Sequence, residues 1–507
     1  MSTPCPTRFP RLGARRAILQ VLAFSLVSTA APILASTVNQ EEQELRCEVA
    51  RRELERELRH ALAQCRRMGG EASARRERFD EKLCADRAER ELRAELTDDT
   101  CQTEDESAAN EDIGVEASAP TERGPVALPG GTRDLTYSRV DGLDVLEGDI
   151  VLGKAVQSGS PGIPGLESAA GLGVDEDALL WPNATVPYDI DSRTPAIVRE
   201  RILAAIEHWN SLTLVRLRPR TDADQDVLLF YSGESSCWAE LGRQGGVQLI
   251  NLGTACQRGN AIHEIGHALG LLHEHTRSDR DRFVTVRWDH VDPAQRYNFE
   301  MTPGPMPVEP APLGYDIGSI MHYGSFAFSV DGQPTIVRRD GTTFVENREA
   351  LSPMDVGTVT GLVLAKAGTS ASQLSVRSTD RCLVGNRSQS KVGVRARMRG
   401  CQGRPEGRWH VYSDPHSGAE LLVNERSRQC LAVPGASPES DVQARLLPCD
   451  GRAEQRLDVR TLPNGAYEIR SAASGLCLGT VDSTGREVGR VVQAPCSGAA
   501  GQRWAQS

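Results

Sequence analysis

The sequence predicts a multidomain chain. It has a charged helical segment near the N-terminus, a central domain organised around one histidine-rich helix, and a threefold-repeated C-terminal domain. Three observations carry this reading. The string His263-Glu264-Ile265-Gly266-His267-Ala268-Leu269-Gly270-Leu271-Leu272-His273 reads H-E-x-x-H-x-x-G-x-x-H. Cys-Leu pairs recur at Cys382, Cys430 and Cys477, and Cys401, Cys449 and Cys496 follow at one constant separation. A run without proline, from about Gln40 to Leu96, is dominated by Arg, Glu, Ala and Leu.

The chain has 507 residues, room for about three domains. Its formal net charge of -11 argues against a nucleic-acid binder. Arg8, Arg11, Arg15 and Arg16 precede an apolar run from Ala17 to Val27, and small residues follow with cleavage expected after Ala35 or Ala31. Residues 1–35 therefore read as a signal peptide. The run falls short of the ~18–20 apolar residues of a span, so no membrane span is expected. Arg15-Arg16 with Ile18-Leu19 faintly suggests a twin-arginine signal. Of the 13 cysteines, Cys5 lies in the signal peptide, and the remaining even number suits pairing in an oxidising compartment. The expected location is secreted, extracellular or periplasmic.

Residues 36–101 are expected to fold as a helical hairpin broken at Met68-Gly69-Gly70. The midpoints of 47–101 and 65–84 nearly coincide, which predicts nested disulfides Cys47–Cys101 and Cys65–Cys84. A spacer or interaction module is the expected role. Residues 102–135, acidic and rich in Pro, Gly, Ser and Ala, read as a disordered linker.

On a helix, residues four apart share a face, so His263 and His267 can offer imidazoles to one metal ion. Glu264 sits beside the first ligand without needing to be one. Gly270 can turn the chain through a left-handed conformation and bring in His273. Three neutral nitrogens leave one coordination position open, as a catalytic zinc requires. This is the metzincin form of the zinc-protease motif.

The residues that follow narrow the resemblance. His273-Glu274-His275-Thr276-Arg277-Ser278-Asp279-Arg280-Asp281 resembles the H-E-H-x-R-x-D-R-D continuation of the astacins. Ser319-Ile320-Met321-His322-Tyr323 resembles their Met-turn, and Trp181-Pro182-Asn183 through Val186-Pro187-Tyr188 resembles the start of their catalytic domain. The resemblance covers about residues 175–367. It implies an α+β metzincin domain holding one Zn²⁺ per chain on His263, His267 and His273. It makes Glu264 the general base, Met321 the hydrophobic floor, and Tyr323 an additional ligand that swings away to bond the transition state. Gly246–Leu252 reads as an edge strand able to align an extended substrate. Astacins usually carry two disulfides in this domain, and Cys237 with Cys256 matches the inner one. The outer one is missing, with Leu214 where its first Cys is expected, so the domain lacks a bond typically worth about 2–4 kcal/mol.

Leu146-Glu147-Gly148-Asp149-Ile150 resembles the F-x-G-D motif of astacin prosegments, with Leu146 in place of Phe. By that resemblance residues 136–174 are an inhibitory prosegment, Asp149 occupies the zinc, and activation cleaves between Asp149 and Trp181. A surface turn is the alternative.

Over residues 372–507 the three copies are about 48 residues long and end near Gly407-Arg408-Trp409, Gln455-Arg456-Leu457 and Gln502-Arg503-Trp504. They resemble a ricin-B-type β-trefoil. That implies an all-β domain of four-stranded units with disulfides Cys382–Cys401, Cys430–Cys449 and Cys477–Cys496. Many members place an aspartate two residues after the first Cys to bind galactose-like sugars. Val384, Ala432 and Gly479 stand there and offer no side-chain acceptor. The trefoil's partner, glycan or protein, stays open. The function expected is a secreted zinc endopeptidase acting on protein or peptide substrates and made as a latent zymogen. The alternative is a secreted carbohydrate-binding or adhesion protein with an incidental protease domain.

Overall fold

The structure is a computed structural model that describes residues 121–128, 131–140, 143–152, 179–233, 235–303, 314–376, 381–385 and 391–507. The chain divides into two compact units, residues 1–110 and 111–507, and every described residue belongs to the second. The signal peptide, the helical hairpin and its two nested disulfides lie outside the described residues.

The expected linker ends earlier than residue 135. Strands β1 (Thr121–Leu128), β2 (Gly131–Val140), β3 (Leu143–Leu146) and β4 (Ile150–Leu152) form an antiparallel meander in sequence order. Its composition is loop-like, but Val126, Leu128 and Leu135 alternate onto one face and bury against Leu146, Ile150 and Leu272. That apolar alternation outweighs the Pro and Gly content.

The meander continues a larger sheet. Strands β5 (Thr185–Ile190), β6 (Arg216–Pro219), β7 (Val227–Tyr231), β8 (Cys237–Glu240) and β9 (Val247–Leu252) complete nine strands in the order β1-β2-β3-β4-β8-β9-β7-β5-β6. β9 is parallel to β7 and antiparallel to β8, so it is an interior strand. The expected edge strand at Gly246–Leu252 is thus misplaced. The strand that would be the edge without the meander is β8, and β4 pairs with it in parallel, Ile150 opposite Ala239 and Val151 opposite Glu240. Burial on both faces explains why β7 reads as an unbroken apolar run, Val-Leu-Leu-Phe-Tyr.

Helix α1 (Ala196–Leu212) buries Val198, Ile202, Ala205, Ile206 and Trp209, the spacing of one helical face. It ends where Thr213 Oγ1 turns back to Trp209 O at 2.9 Å. Helix α2 (Arg258–Ala268) packs against it, and the Trp209 indole donates to Ile262 O at 3.0 Å. Beyond α2 the chain forms short strands β10 (Val284–Val286) and β11 (Ile336–Arg338), then α3 (Pro353–Lys366). Ser352 and Asp355 close a reciprocal capping box at the start of α3.

From α3 the chain passes into β12 (Ala371–Val376), the first of thirteen strands that the described residues form in a single C-terminal sheet system. Disulfides join Cys382 to Cys401, Cys430 to Cys449 and Cys477 to Cys496, at one sequence separation of 19. The Trp409 and Trp504 indoles donate to Leu383 O and Leu478 O, each at 2.9 Å, so first and third copies repeat one bond. Leu457 fills the matching place in the second copy. Leu383, Leu431 and Leu478 meet in one buried cluster, as threefold packing requires.

The second copy also packs on the catalytic domain. Tyr412, Leu421 and Val423 join the apolar cluster that holds Leu214, Val215 and Trp209. Arg216 Nη2 donates to Asp450 O at 2.9 Å, and His416 Nε2 lies 3.3 Å from Ala184 O.

Candidate metal and catalytic site

Helix α2 is buried along nearly its whole length and needs small residues where it crosses other chain segments. A Cβ on Gly259 would lie 1.6 Å from Arg348 O, and one on Gly266 would lie 2.8 Å from Met321 Sδ. The Trp181 indole donates to Ala268 O at 2.9 Å and fixes the helix C-terminus. Gly270 then takes φ 102°, in the left-handed region that favours glycine, and the chain turns to His273.

These elements bring His263, His267 and His273 together, each at most 2% exposed. His267 Nε2 and His273 Nε2 lie 3.0 and 3.2 Å from His263 Nε2. The opposite ring nitrogens decide the tautomers. His263 Nδ1 lies 2.7 Å from Ile320 O and His267 Nδ1 lies 2.8 Å from Leu271 O. A carbonyl oxygen only accepts, so each Nδ1 carries the proton and each Nε2 presents a lone pair. Lone pairs facing one another at 3 Å repel unless a cation lies between them.

Asp149 completes the cluster. Its Oδ2 lies 3.2 Å from His263 Nε2 and 3.4 Å from His273 Nε2, and its Oδ1 lies 3.4 Å from His267 Nε2. The ligand atoms of these four residues lie within 4.8 Å of one another. Asp149 Oδ1 is buried and makes no hydrogen bond. A buried carboxylate oxygen without a donor, facing three converging imidazole nitrogens, is a donor set that fits zinc.

Residues 147–149 do form a turn, with φ 52° at Glu147 and 86° at Gly148, but the turn is buried. Glu147 Oε2 accepts from His273 N at 3.1 Å and lies 3.0 Å from His273 Nδ1. The third histidine is therefore oriented by a carboxylate from residue 147, whereas the first two are oriented by backbone carbonyls. The Tyr323 hydroxyl donates to Glu147 O. Tyr323 is fully buried and stacks on His275 with ring centroids 3.9 Å apart. Glu264, 1% exposed, follows His263 on α2.

The turn at Met321 is held from α3. Asp355 Oδ1 accepts from Ser319 Oγ at 2.5 Å, and its Oδ2 accepts from Ile320 N at 3.0 Å and Ser352 N at 2.8 Å. One carboxylate thus caps a helix and fixes the segment whose Ile320 carbonyl orients His263. Burial pushes the Asp355 carboxyl up to about 6 although the Ser319 hydrogen bond pulls it down. Met321 is 2% exposed beneath α2, and Met321 O accepts from Glu274 N at 2.9 Å. Burial raises the Glu274 carboxyl to about 8 against the pull of Arg277.

The sequence reading singled out Glu264, Tyr323, His263, His267, His273, Met321 and Asp149, and the fold gathers them around one helix. It missed the parts played by Glu147 and Asp355. The Ser-Pro-Met-Asp capping pattern at 352–355 was a signal for Asp355 as a helix cap. No local pattern marks Glu147, which reaches a residue 126 positions away. Cys237 is bonded to Cys256, and Leu214 is 1% exposed.

The family model of the astacin peptidases matches residues 174–362. The ricin-type β-trefoil lectin domain-like model matches residues 405–484 and 453–507. Zinc metalloproteinase nas-15 of Caenorhabditis elegans is 36% identical over 177 residues, 35% of this chain and 31% of that protein. Blastula protease 10 of Paracentrotus lividus is 37% identical over 190 residues, 35% of this chain and 31% of that protein. Among solved structures, high choriolytic enzyme 1, a hatching enzyme zinc-protease from the medaka Oryzias latipes, shares 31% identity. The match covers 38% of this chain and 98% of that one, with a TM-score of 0.35. The chain spans about a third of the length of these two curated relatives. Residues 174–362 of the chain thus form an astacin-type peptidase domain, and behind it the chain carries a ricin-type β-trefoil region.

Proposed function

We propose that this chain is a secreted zinc endopeptidase made as a latent precursor, with its trefoil serving to target it. The observation that carries the reading is the convergence of His263, His267 and His273 on one point, with Glu264 on the same helix. Those three histidines would hold one zinc ion, which supplies Lewis acidity toward water and the scissile carbonyl when bound. Glu264 takes a proton from the attacking water and delivers it to the leaving amine. The Tyr323 hydroxyl donates a hydrogen bond to the developing oxyanion. Strand β8, once relieved of β4, offers its edge to an extended peptide.

Latency follows from the same geometry. Asp149 takes the place next to the three histidines, Glu147 O accepts the Tyr323 hydroxyl, and β4 covers the β8 edge. Cleavage between Asp149 and Trp181 would release all three blocks together. Export is supported by the signal-like N-terminus and by disulfides in both folded domains. Among the described residues, no helix is long and apolar enough to cross a membrane.

The test is metal analysis combined with peptide cleavage, on the full-length and the processed protein, before and after a chelator and after zinc is restored. Hydrolysis by the processed form should vanish with the chelator and return with zinc. Hydrolysis indifferent to the chelator, or protein that binds no zinc, would end this reading.

A further inference from the structure

We propose that the first trefoil copy binds an acidic saccharide, one bearing sulfate or carboxylate groups, along a row of arginines. The proposal rests on the targeting role given to the trefoil and names its ligand class.

Strands β13 (Arg381–Val384), β14 (Val394–Arg395) and β15 (Arg397–Gly400) form the outer part of this copy. Along the extended segment 394–400, Ala396 and Met398 point into the core, at 0% and 5% exposure. Arg395, Arg397 and Arg399 alternate with them and are exposed. Alternation puts the three side chains on one face, with backbone positions about 6.6–6.8 Å apart at two residues per step. On β13, Cys382 stands opposite Arg399 and Arg381 opposite Gly400 of β15, while Arg397 faces Arg490 on the other side of β15.

Arg381, Arg395, Arg397 and Arg399 line a depression of about 930 Å³, together with Lys391, Arg404 and the apolar Val384. Among the described residues, Glu406 is the one carboxylate lining it. Among the described residues, too, none of Arg381, Arg395, Arg397, Arg399 and Arg404 pairs with a carboxylate. Between residues 381 and 408 the sequence has eight Lys or Arg and one acidic residue, in a chain whose net charge is -11. Like charges on adjacent strands repel, so the fold gains nothing from gathering them.

The fold does not require this. In the same cysteine register, the second copy has Gln429, Gln443 and Leu447 in place of Arg381, Arg395 and Arg399. The third copy has Leu476, Val492 and Ala494 in place of Arg381, Arg397 and Arg399. The ricin-type family match begins at residue 405, after the cluster. The first copy alone has become cationic, and Val384 denies it the acceptor a neutral sugar would use. Guanidinium groups bond sulfate and carboxylate through paired N–H donors. No aromatic residue lines the depression among the described residues, so bases of a nucleic acid would find no stacking platform there.

The test is calorimetric titration of the full-length chain with four probes: a heparin octasaccharide, an oligogalacturonate of equal length, a neutral galacto-oligosaccharide and a single-stranded oligonucleotide. At least one acidic saccharide should bind with a Kd of about 1–10 µM. The two acidic probes separate sulfate from carboxylate recognition. With about three anionic groups engaged, affinity should fall by a factor of about 40 between roughly 50 and 200 mM salt, by the rule for polyanion counterion release. The R395Q/R397Q/R399Q variant should lose binding about 30-fold or more with its melting temperature unchanged, and Arg397→Glu alone should weaken it clearly. A variant that loses the same charge elsewhere, R282Q/R287Q/R486Q, should bind as the parent does. Binding to the neutral oligosaccharide alone would overturn the acidic ligand while leaving the targeting role standing. Absence of binding to both acidic probes, equal binding of the oligonucleotide, or equal loss in the two triple variants would each overturn the proposal.

Discussion

Replacing Asp149 by Ala removes the one carboxylate that, among the described residues, reaches all three histidines, at 3.2 Å from His263 and 3.4 Å from His267 and His273. Asp149 is 5% exposed, so water does not screen the loss. Removing one partner from a buried charge cluster costs about 3–5 kcal/mol. What still holds the segment is Glu147 on His273, the Tyr323 hydroxyl on Glu147 O, and the two-residue pairing of β4 with β8. At about 1.4 kcal/mol per decade, the ratio of closed to open precursor should fall by roughly 2–3.5 decades. The uncleaved D149A precursor should therefore hydrolyse a quenched fluorescent peptide about 10²–10³ times faster than the uncleaved parent. Mass spectrometry before and after the assay checks that the chain is intact, and a D149A/E264Q double variant checks that the activity is its own. Equal latency in D149A and the parent, at equal zinc content, would refute the reasoning and leave residues 147–149 as a buried turn only.

Glu264→Gln in the processed protein should keep its zinc and lose about 10²–10⁴-fold in kcat/KM, measured by metal analysis and peptide hydrolysis. Tyr323→Phe should lower kcat about 10–100-fold and leave KM within about twofold, because its hydroxyl is needed when charge develops on the carbonyl oxygen. Asp355→Asn should change the pH dependence of unfolding. Burial raises the Asp355 pKa from 3.8 to about 6, so its contribution to stability is present below the unfolded value and lost as pH rises through the folded one. The stability of D355N relative to the parent should therefore improve between about pH 4 and 6.5, as read from denaturant midpoints. Leu214→Ala should destabilise the folded unit by about 2–5 kcal/mol, seen as a lower melting temperature of catalytic domain and trefoil together.

The zinc-type site was legible because its three histidines lie within eleven residues, where helical spacing and one glycine dictate their convergence. What orients those histidines was not. The carbonyl of Ile320 reaches His263 across 57 positions, Glu147 reaches His273 across 126, and Asp355 reaches Ile320 across 35. Nothing in the local sequence announces such pairings. Composition misled at β1 and β2, where Pro, Gly and charge read as a linker while period-2 burial of Val126, Leu128 and Leu135 formed strands. At β9 the run Val-Gln-Leu-Ile-Asn-Leu shows strand propensity, but whether it is an edge depends on neighbours that the sequence does not name. The trefoil was legible from the cysteine period alone, since each disulfide closes one copy. Its seating on the protease joins Arg216 to Asp450, 234 positions apart, and no periodicity reports that.

Leu214 connects two facts that the sequence shows only separately: the missing outer disulfide and the trefoil that follows the catalytic domain. It stands where the resemblance expects a cysteine, and it is buried in a cluster that also contains Tyr412, Leu421 and Val423 of the second copy. Beside it, Arg216 spans the junction, donating to Thr213 O and Val215 O on its own side and to Asp450 O on the other. Helix α3 leads directly to β12, so the end of the catalytic domain is tied back to residues 214–216 through the folded trefoil. A disulfide acts mainly by restricting the unfolded chain, whereas apolar docking acts on the folded state. Closure by docking therefore holds only while the trefoil is folded, and it makes the two domains share one apolar core. That shared core ties the cationic face of the first copy to the domain that carries the zinc-type site. A saccharide held on that face would be anchored to the catalytic domain through packed residues and not through a flexible tether. An effective concentration set by such a fixed span favours substrates attached to the saccharide at one distance, which is how a docked binding domain can select a target without touching the scissile bond.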